Sequence, residues 1–82
     1  MTLPDIRRLI DAIDVQLLTL LAERLALARK ARSFKTQIED SGREEELRRN
    51  WRKIGTELGL ESAVIDKILA DIISASRSVQ SS

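Results

Sequence analysis

An arginine stands where the pattern demands a leucine. From Ile6 an apolar stripe runs in steps of four and three through Ile10, Ile13, Leu17 and Leu20, then resumes at Leu27, Ala31, Phe34 and Ile38. Arg24 occupies the position that joins the two halves. A stripe this long is the seam of a packed helix. A guanidinium in such a seam keeps its charge and is costly to bury without a partner. Either the helix opens onto water at Arg24, or an anion belongs there.

No Gly or Pro interrupts the chain between Asp5 and Ser41, and Leu and Ala are abundant there. Pro4 suits a first helical turn, where its missing N–H costs nothing. The cap is then Thr2 or Leu3. The spacing predicts a first helix over about 4–38. Asp40, Ser41 and Gly42 make a break, with Ser41 and Glu44 in capping-box register. A second helix is expected over about 43–58, carrying Leu47, Trp51, Ile54 and Leu58 on one face, with Gly59 at its C-terminal end. Ser62 would cap a third helix over about 62–80, with Ile65, Ile68, Leu69, Ile72 and Ile73 as its apolar residues. The fold class is all-α, a three-helix chain with one very long first helix, and residues 1–82 form a single domain.

Size turns this into an expectation about assembly. A helix of about 35 residues is roughly 52 Å long at 1.5 Å per residue. A compact globule of this chain length has a radius of gyration of about 12 Å. The two shorter helices cannot cover the whole seam of the first, and a second copy is the simplest cover. An intertwined homodimer is expected; a helical hairpin with a bent first helix is the alternative.

Composition narrows the chemistry. There is no His and no Cys, which removes the commonest general base, thiol chemistry and the commonest metal ligands. The net charge of +1 gives no electrostatic footprint for nucleic acid. No stretch is apolar enough for a membrane helix, and no signal peptide is visible, so the expected location is the cytoplasm.

Polar residues on apolar faces then become the candidates. Arg24 and Lys35 are eleven residues apart, nearly on one face and about 16 Å apart along a helix. In the third helix the stripe Ile65, Leu69, Ile72 ends in Ser76 and Gln80. Arg43 and Glu44, next to Asp40, open the second helix at the positive end of its dipole. Each has an ordinary reading alone: a snorkelling arginine, a solvated lysine, a frayed C-terminus, a charged first turn, a turn aspartate. Together they outline an anion site. Arg7 lies about 25 Å from Arg24 on the same rod and would reach that site only across an antiparallel dimer.

The ordered set resembles the all-helical chorismate mutases over nearly the full length. The resemblance is carried by Ile6-Arg7-Arg8-Leu9-Ile10-Asp11-Ala12-Ile13-Asp14, Leu20-Leu21-Ala22-Glu23-Arg24, Lys35, Asp40-Ser41-Gly42-Arg43-Glu44-Glu45-Glu46, and Ile72-Ile73 leading to Ser76 and Gln80. It implies a dimer of three-helix chains that rearranges chorismate, a small dianion, to prephenate without metal or cofactor. It implies Arg24 and the second chain's Arg7 on the carboxylates, and Lys35 and Gln80 on the ether oxygen. Glu44 would meet the ring hydroxyl with Asp40 nearby, and Arg43 and Ser76 would complete the wall. The catalytic set it implies is Lys35, Gln80 and Arg24.

One departure stands out. The family usually has about four more residues between the Lys35 position and Ile38-Glu39-Asp40. Here the first loop is tight or the first helix ends a turn early. The chain starts near the first helix and stops soon after Gln80, so no regulatory domain is expected. Three rival functions remain: an isochorismate-pyruvate lyase, which Ser33-Phe34-Lys35 resembles slightly; an aminodeoxychorismate mutase; and a non-catalytic helical dimer. Glu44, placed for a ring hydroxyl, favours the mutase over the lyase.

Overall fold

Among the described residues there are three α-helices, and the third lies between the other two. The computed structural model describes residues 1–34 and 41–81. Helix α1 spans Leu3–Ala31, followed by a 3-10 turn at Arg32–Phe34; α2 spans Ser41–Glu57 and α3 spans Ser62–Ser81. Helix α3 packs against both α1 and α2.

Helix α1 starts where the sequence places it. Thr2 is its cap: the Asp5 backbone N–H donates to Thr2 Oγ1 (3.3 Å), and the Thr2 N–H donates to Asp5 Oδ2 (3.0 Å). This reciprocal box was not read from the sequence. The Thr2 backbone N–H on Asp5 holds that carboxyl below its usual range. The far end corrects the expectation. The α-helix stops at Ala31 rather than Ile38. Ser33 Oγ donates to the Lys30 carbonyl (2.8 Å), and the Arg32 N–H turns to the Arg29 carbonyl, so the last turn tightens. Phe34, counted in the seam, is exposed. The predicted seam residue Ile38 lies outside the described residues.

Two other boundaries shift slightly. Helix α2 begins at Ser41 itself, so Ser41 is its first residue and not the cap before it. Ser62 likewise opens α3, and the Glu61 carbonyl accepts from the Val64 and Ile65 N–H groups. Gly59 fulfils its expected role. It has φ of 85°, the Leu60 N–H reaches the Gly55 carbonyl (2.9 Å), and the Gly59 N–H reaches Thr56 (3.0 Å). That is a Schellman ending, which needs a left-handed residue at this position.

The core is narrow. Ile65, Leu69 and Ile73 are its buried apolar side chains, with Leu69 only 1% exposed. Ile73 takes the inner place that the sequence stripe gave to Ile72, which is half-buried. On α2 the predicted face is partly open: Leu47 and Trp51 are half-buried, whereas Ile54 and Leu58 are 56% and 73% exposed. The close approach is made by Gly55, where a Cβ would stand 2.4 Å from Ile65 Cδ1 and 2.8 Å from its Cγ1. Gly55→Ala is therefore expected to destabilise the fold by about 1 kcal/mol, overpacking outweighing alanine's better helix propensity. Thermal denaturation checks this; a raised midpoint would show that Ile65 yields freely. Nearby, Arg52 donates to both oxygens of Asp66 (2.9 and 2.8 Å), joining α2 to α3. That hydrogen-bonded guanidinium holds the Asp66 carboxyl below its usual range.

The N-terminal half of α1 is left uncovered by the described residues. Leu21, Arg24, Leu25, Ala28 and Ala31 are half-buried, but every residue from Ile6 to Leu20 is exposed. The extents of 52 × 25 × 14 Å and the radius of gyration of 15.4 Å record this overhang. Among the described residues no helix is long and apolar enough to cross a membrane.

Candidate active site

The C-terminal half of α1, the start of α2 and the end of α3 line an open cavity of about 500 Å³. The arginine that interrupts the seam opens into it. Arg24 is half-buried, and its Nη1 donates to Ser76 Oγ at 2.9 Å. Ser76 in turn donates to the Ile72 carbonyl one turn back (2.9 Å). The interruption of one apolar stripe thus faces the interruption of another. The serine hydroxyl has one proton and spends it on α3 itself, so its oxygen accepts from Arg24.

Gln80 is the deepest polar group, at 4% exposure. Its Nε2 donates to the Ala28 carbonyl of α1 at 3.0 Å. The same nitrogen carries a second N–H. Leu27, Ala28, Ala31, Leu47 and Ile73 supply the apolar wall. A polar donor set within such a wall acts at lower effective dielectric than in water, where each hydrogen bond counts for more.

Helix α2 contributes its first turn. Arg43 and Glu44 both line the cavity. Glu44 lies where the helix dipole favours a carboxylate, and its side chain is 13% exposed. Its partner was missed by sequence reasoning. Arg77 Nη2 donates to both Glu44 oxygens, at 2.6 Å to Oε1. Arg48 lies 3.9 Å from the same carboxylate. The row Ile65, Leu69, Ile73 continues by four to Arg77, so a reading of α3 along that row finds it. Three guanidinium groups against one carboxylate make the cavity cationic.

Of the eight positions expected in a site, Arg24, Arg43, Glu44, Ser76 and Gln80 meet at this cavity. Arg7 does not. It sits seventeen residues before Arg24 on one continuous helix, about 25 Å away. Lys35 and Asp40 lie outside the described residues.

Compared with known families, the chain matches the profile of chorismate mutase type II over residues 6–81. The chain belongs to that family. The match extends from the start of the α1 seam through the last turn of α3, so it takes in all three helices around the cavity. Around the chain's cavity stand three guanidinium groups, a carboxylate paired with one of them, and a buried amide donor. Neither a curated protein nor a solved structure gives a significant match.

Proposed function

We propose that the chain is a chorismate mutase acting as a homodimer with shared sites. The observation that carries this reading is the convergence of Arg24, Ser76 and Gln80, from two helices, on one cationic cavity. The Claisen rearrangement of chorismate to prephenate is unimolecular. The ether C–O bond breaks as a new C–C bond forms, and negative charge grows on the ether oxygen. Catalysis then consists of holding the compact conformer and stabilising that charge. Arg24 takes one carboxylate, and Arg7 of the partner subunit takes the other. Gln80, through its second N–H, and Lys35 donate to the ether oxygen. Glu44 accepts from the ring hydroxyl, with Asp40 nearby, and Arg43 and Ser76 complete the wall. Purified protein incubated with chorismate tests the reading directly. The absorbance of the cyclohexadiene should decay with formation of prephenate; its persistence at the uncatalysed rate would refute it.

Gln80 offers a sharper check. In Gln80→Glu a protonated carboxyl still donates one hydrogen bond, but an ionised one faces both the Ala28 carbonyl and the ether oxygen. Burial at this depth raises a carboxyl pKa. Activity is expected to be greatest at low pH and to fall as pH rises through that group's titration, with helicity monitored alongside. A profile parallel to that of the unmodified protein would remove Gln80 from the site.

The dimer follows from the uncovered stretch Ile6–Leu20. Ile10, Ile13, Leu17 and Leu20 are each 50% exposed or more, and a partner of the same sequence would bury them. The midpoint of thermal unfolding should rise with protein concentration. Sedimentation equilibrium showing a folded monomer at micromolar concentration would exclude this assembly.

A further inference from the structure

Glu44 is the group on which substrate choice at the ring turns, and it is already engaged. Arg77 reaches from the last turns of α3 and places Nη2 between the two carboxylate oxygens. Both residues line the cavity. The pair is half-buried: the Glu44 side chain is 13% exposed and that of Arg77 39%.

A lone carboxylate here would serve two kinds of substrate. It would accept a hydrogen bond from a ring hydroxyl, and it would attract a ring ammonium still more strongly. The arginine changes that comparison. Each carboxylate oxygen has two acceptor sites, and Nη2 takes one on each. Capacity to accept from a hydroxyl therefore remains. The charge, however, is compensated, and an ammonium brought to Glu44 would also come close to a guanidinium that cannot be deprotonated. Arg48, 3.9 Å from the same carboxylate, acts in the same direction.

We propose that Arg77 is a positioning residue that sets specificity: through Glu44 it fits the site to a neutral hydroxyl rather than an ammonium at that ring position. This rests on the reading of the chain as a chorismate mutase. It also separates that reading from the amino-substrate rival, for which an uncompensated carboxylate would be the better receptor.

The test compares chorismate with the same cyclohexadiene dicarboxylate carrying an amino group in place of the ring hydroxyl. Both kcat/KM and Kd are measured for each compound with the unmodified protein, Arg77→Met and Arg77→Lys. The unmodified protein should favour the hydroxyl compound. Arg77→Met should shift the ratio toward the amino compound about tenfold or more, through a lowered KM for that compound, since a nearby like charge has been removed. Arg77→Lys should retain the original preference. A residue that merely supports the fold would depress both substrates alike and leave the ratio unmoved. An unchanged ratio in a fully helical Arg77→Met protein overturns the proposal. If that variant loses helicity, Arg77→Gln, which keeps one N–H toward Glu44 without the charge, carries the comparison with the same expected shift. A protein that binds both compounds and transforms neither would refute the enzymatic reading, while the ratio of dissociation constants would still decide the role of Arg77.

Discussion

Arg24→Ala is expected to lower kcat/KM by about 10² to 10⁴, or about 3–5 kcal/mol of transition-state stabilisation, while unfolding free energy changes by less than about 1.5 kcal/mol. The two halves of this expectation come from different atoms. On the proposed function, activity would depend on the guanidinium as an anion receptor in a cavity with an apolar wall. Stability depends on what Arg24 holds in the folded protein: among the described residues, a hydrogen bond to Ser76 Oγ and the packing of its half-buried stem. Ser76 keeps its own donation to the Ile72 carbonyl when the arginine is gone. The truncation thus leaves an oxygen short of one donor and no unpaired buried charge, and it relieves a cation from a helix seam. Steady-state kinetics and thermal denaturation on the same preparation separate the two effects. A variant with near-normal activity and a large loss of stability would make Arg24 structural.

Arg7→Ala and Arg24→Ala, each nearly inactive alone, are expected to restore about a quarter of normal activity when unfolded together and refolded as a mixture. The reason lies in α1. It is one continuous helix through both residues, which places them about 25 Å apart. A cavity of about 500 Å³ beside Arg24 does not reach Arg7 of its own chain. If Arg7 serves the site across a two-fold axis, each mixed dimer has one site with both arginines and one with neither. Random pairing makes about half the dimers mixed, with one good site of two, hence about a quarter. Should mixed dimers form and remain inactive, Arg7 does not act in the partner's site.

What the sequence disclosed, and what it hid, follow from the kind of signal each residue carries. Arg24, Ser76 and Gln80 were visible because each breaks an apolar stripe, and a broken stripe marks a polar group facing inward. Gly59 was visible because a left-handed turn has few alternatives to glycine. The end of α1 was visible only in part: the short first loop left an early end open without placing it. The apolar pattern runs on to Ile38, whereas the α-helix stops at Ala31; a side chain such as Ser33, bonding back to the backbone, competes with helix geometry without disturbing the pattern. Gly55 gave no signal, since a glycine in a helix reads as weakness until its neighbour Ile65 is seen against it. Arg77 was concealed by the choice of row: the stripe through Ile72 and Ser76 passes beside it, while the buried row through Ile73 runs onto it. Hydrophobic spacing tells which face is inner to within one residue, and here one residue separates a serine from the arginine that pairs with Glu44.

The end of α3 carries more of the site than a helix terminus ordinarily could. Ser76, Arg77 and Gln80 all fall within the last six residues of a helix that ends at Ser81, where the final carbonyls have no intrahelical donors and fraying is easiest. Among the described residues, cross-links hold this tip down from Arg24 to Ser76, from Gln80 to the Ala28 carbonyl, and from Arg77 to Glu44. Local melting of the last two turns would therefore dismantle the cavity. A ligand that engages Arg24 and Gln80 together would suppress the opening, so occupancy and terminal order are thermodynamically linked. Slowed amide hydrogen exchange in the last two turns of α3 is the signature of that linkage.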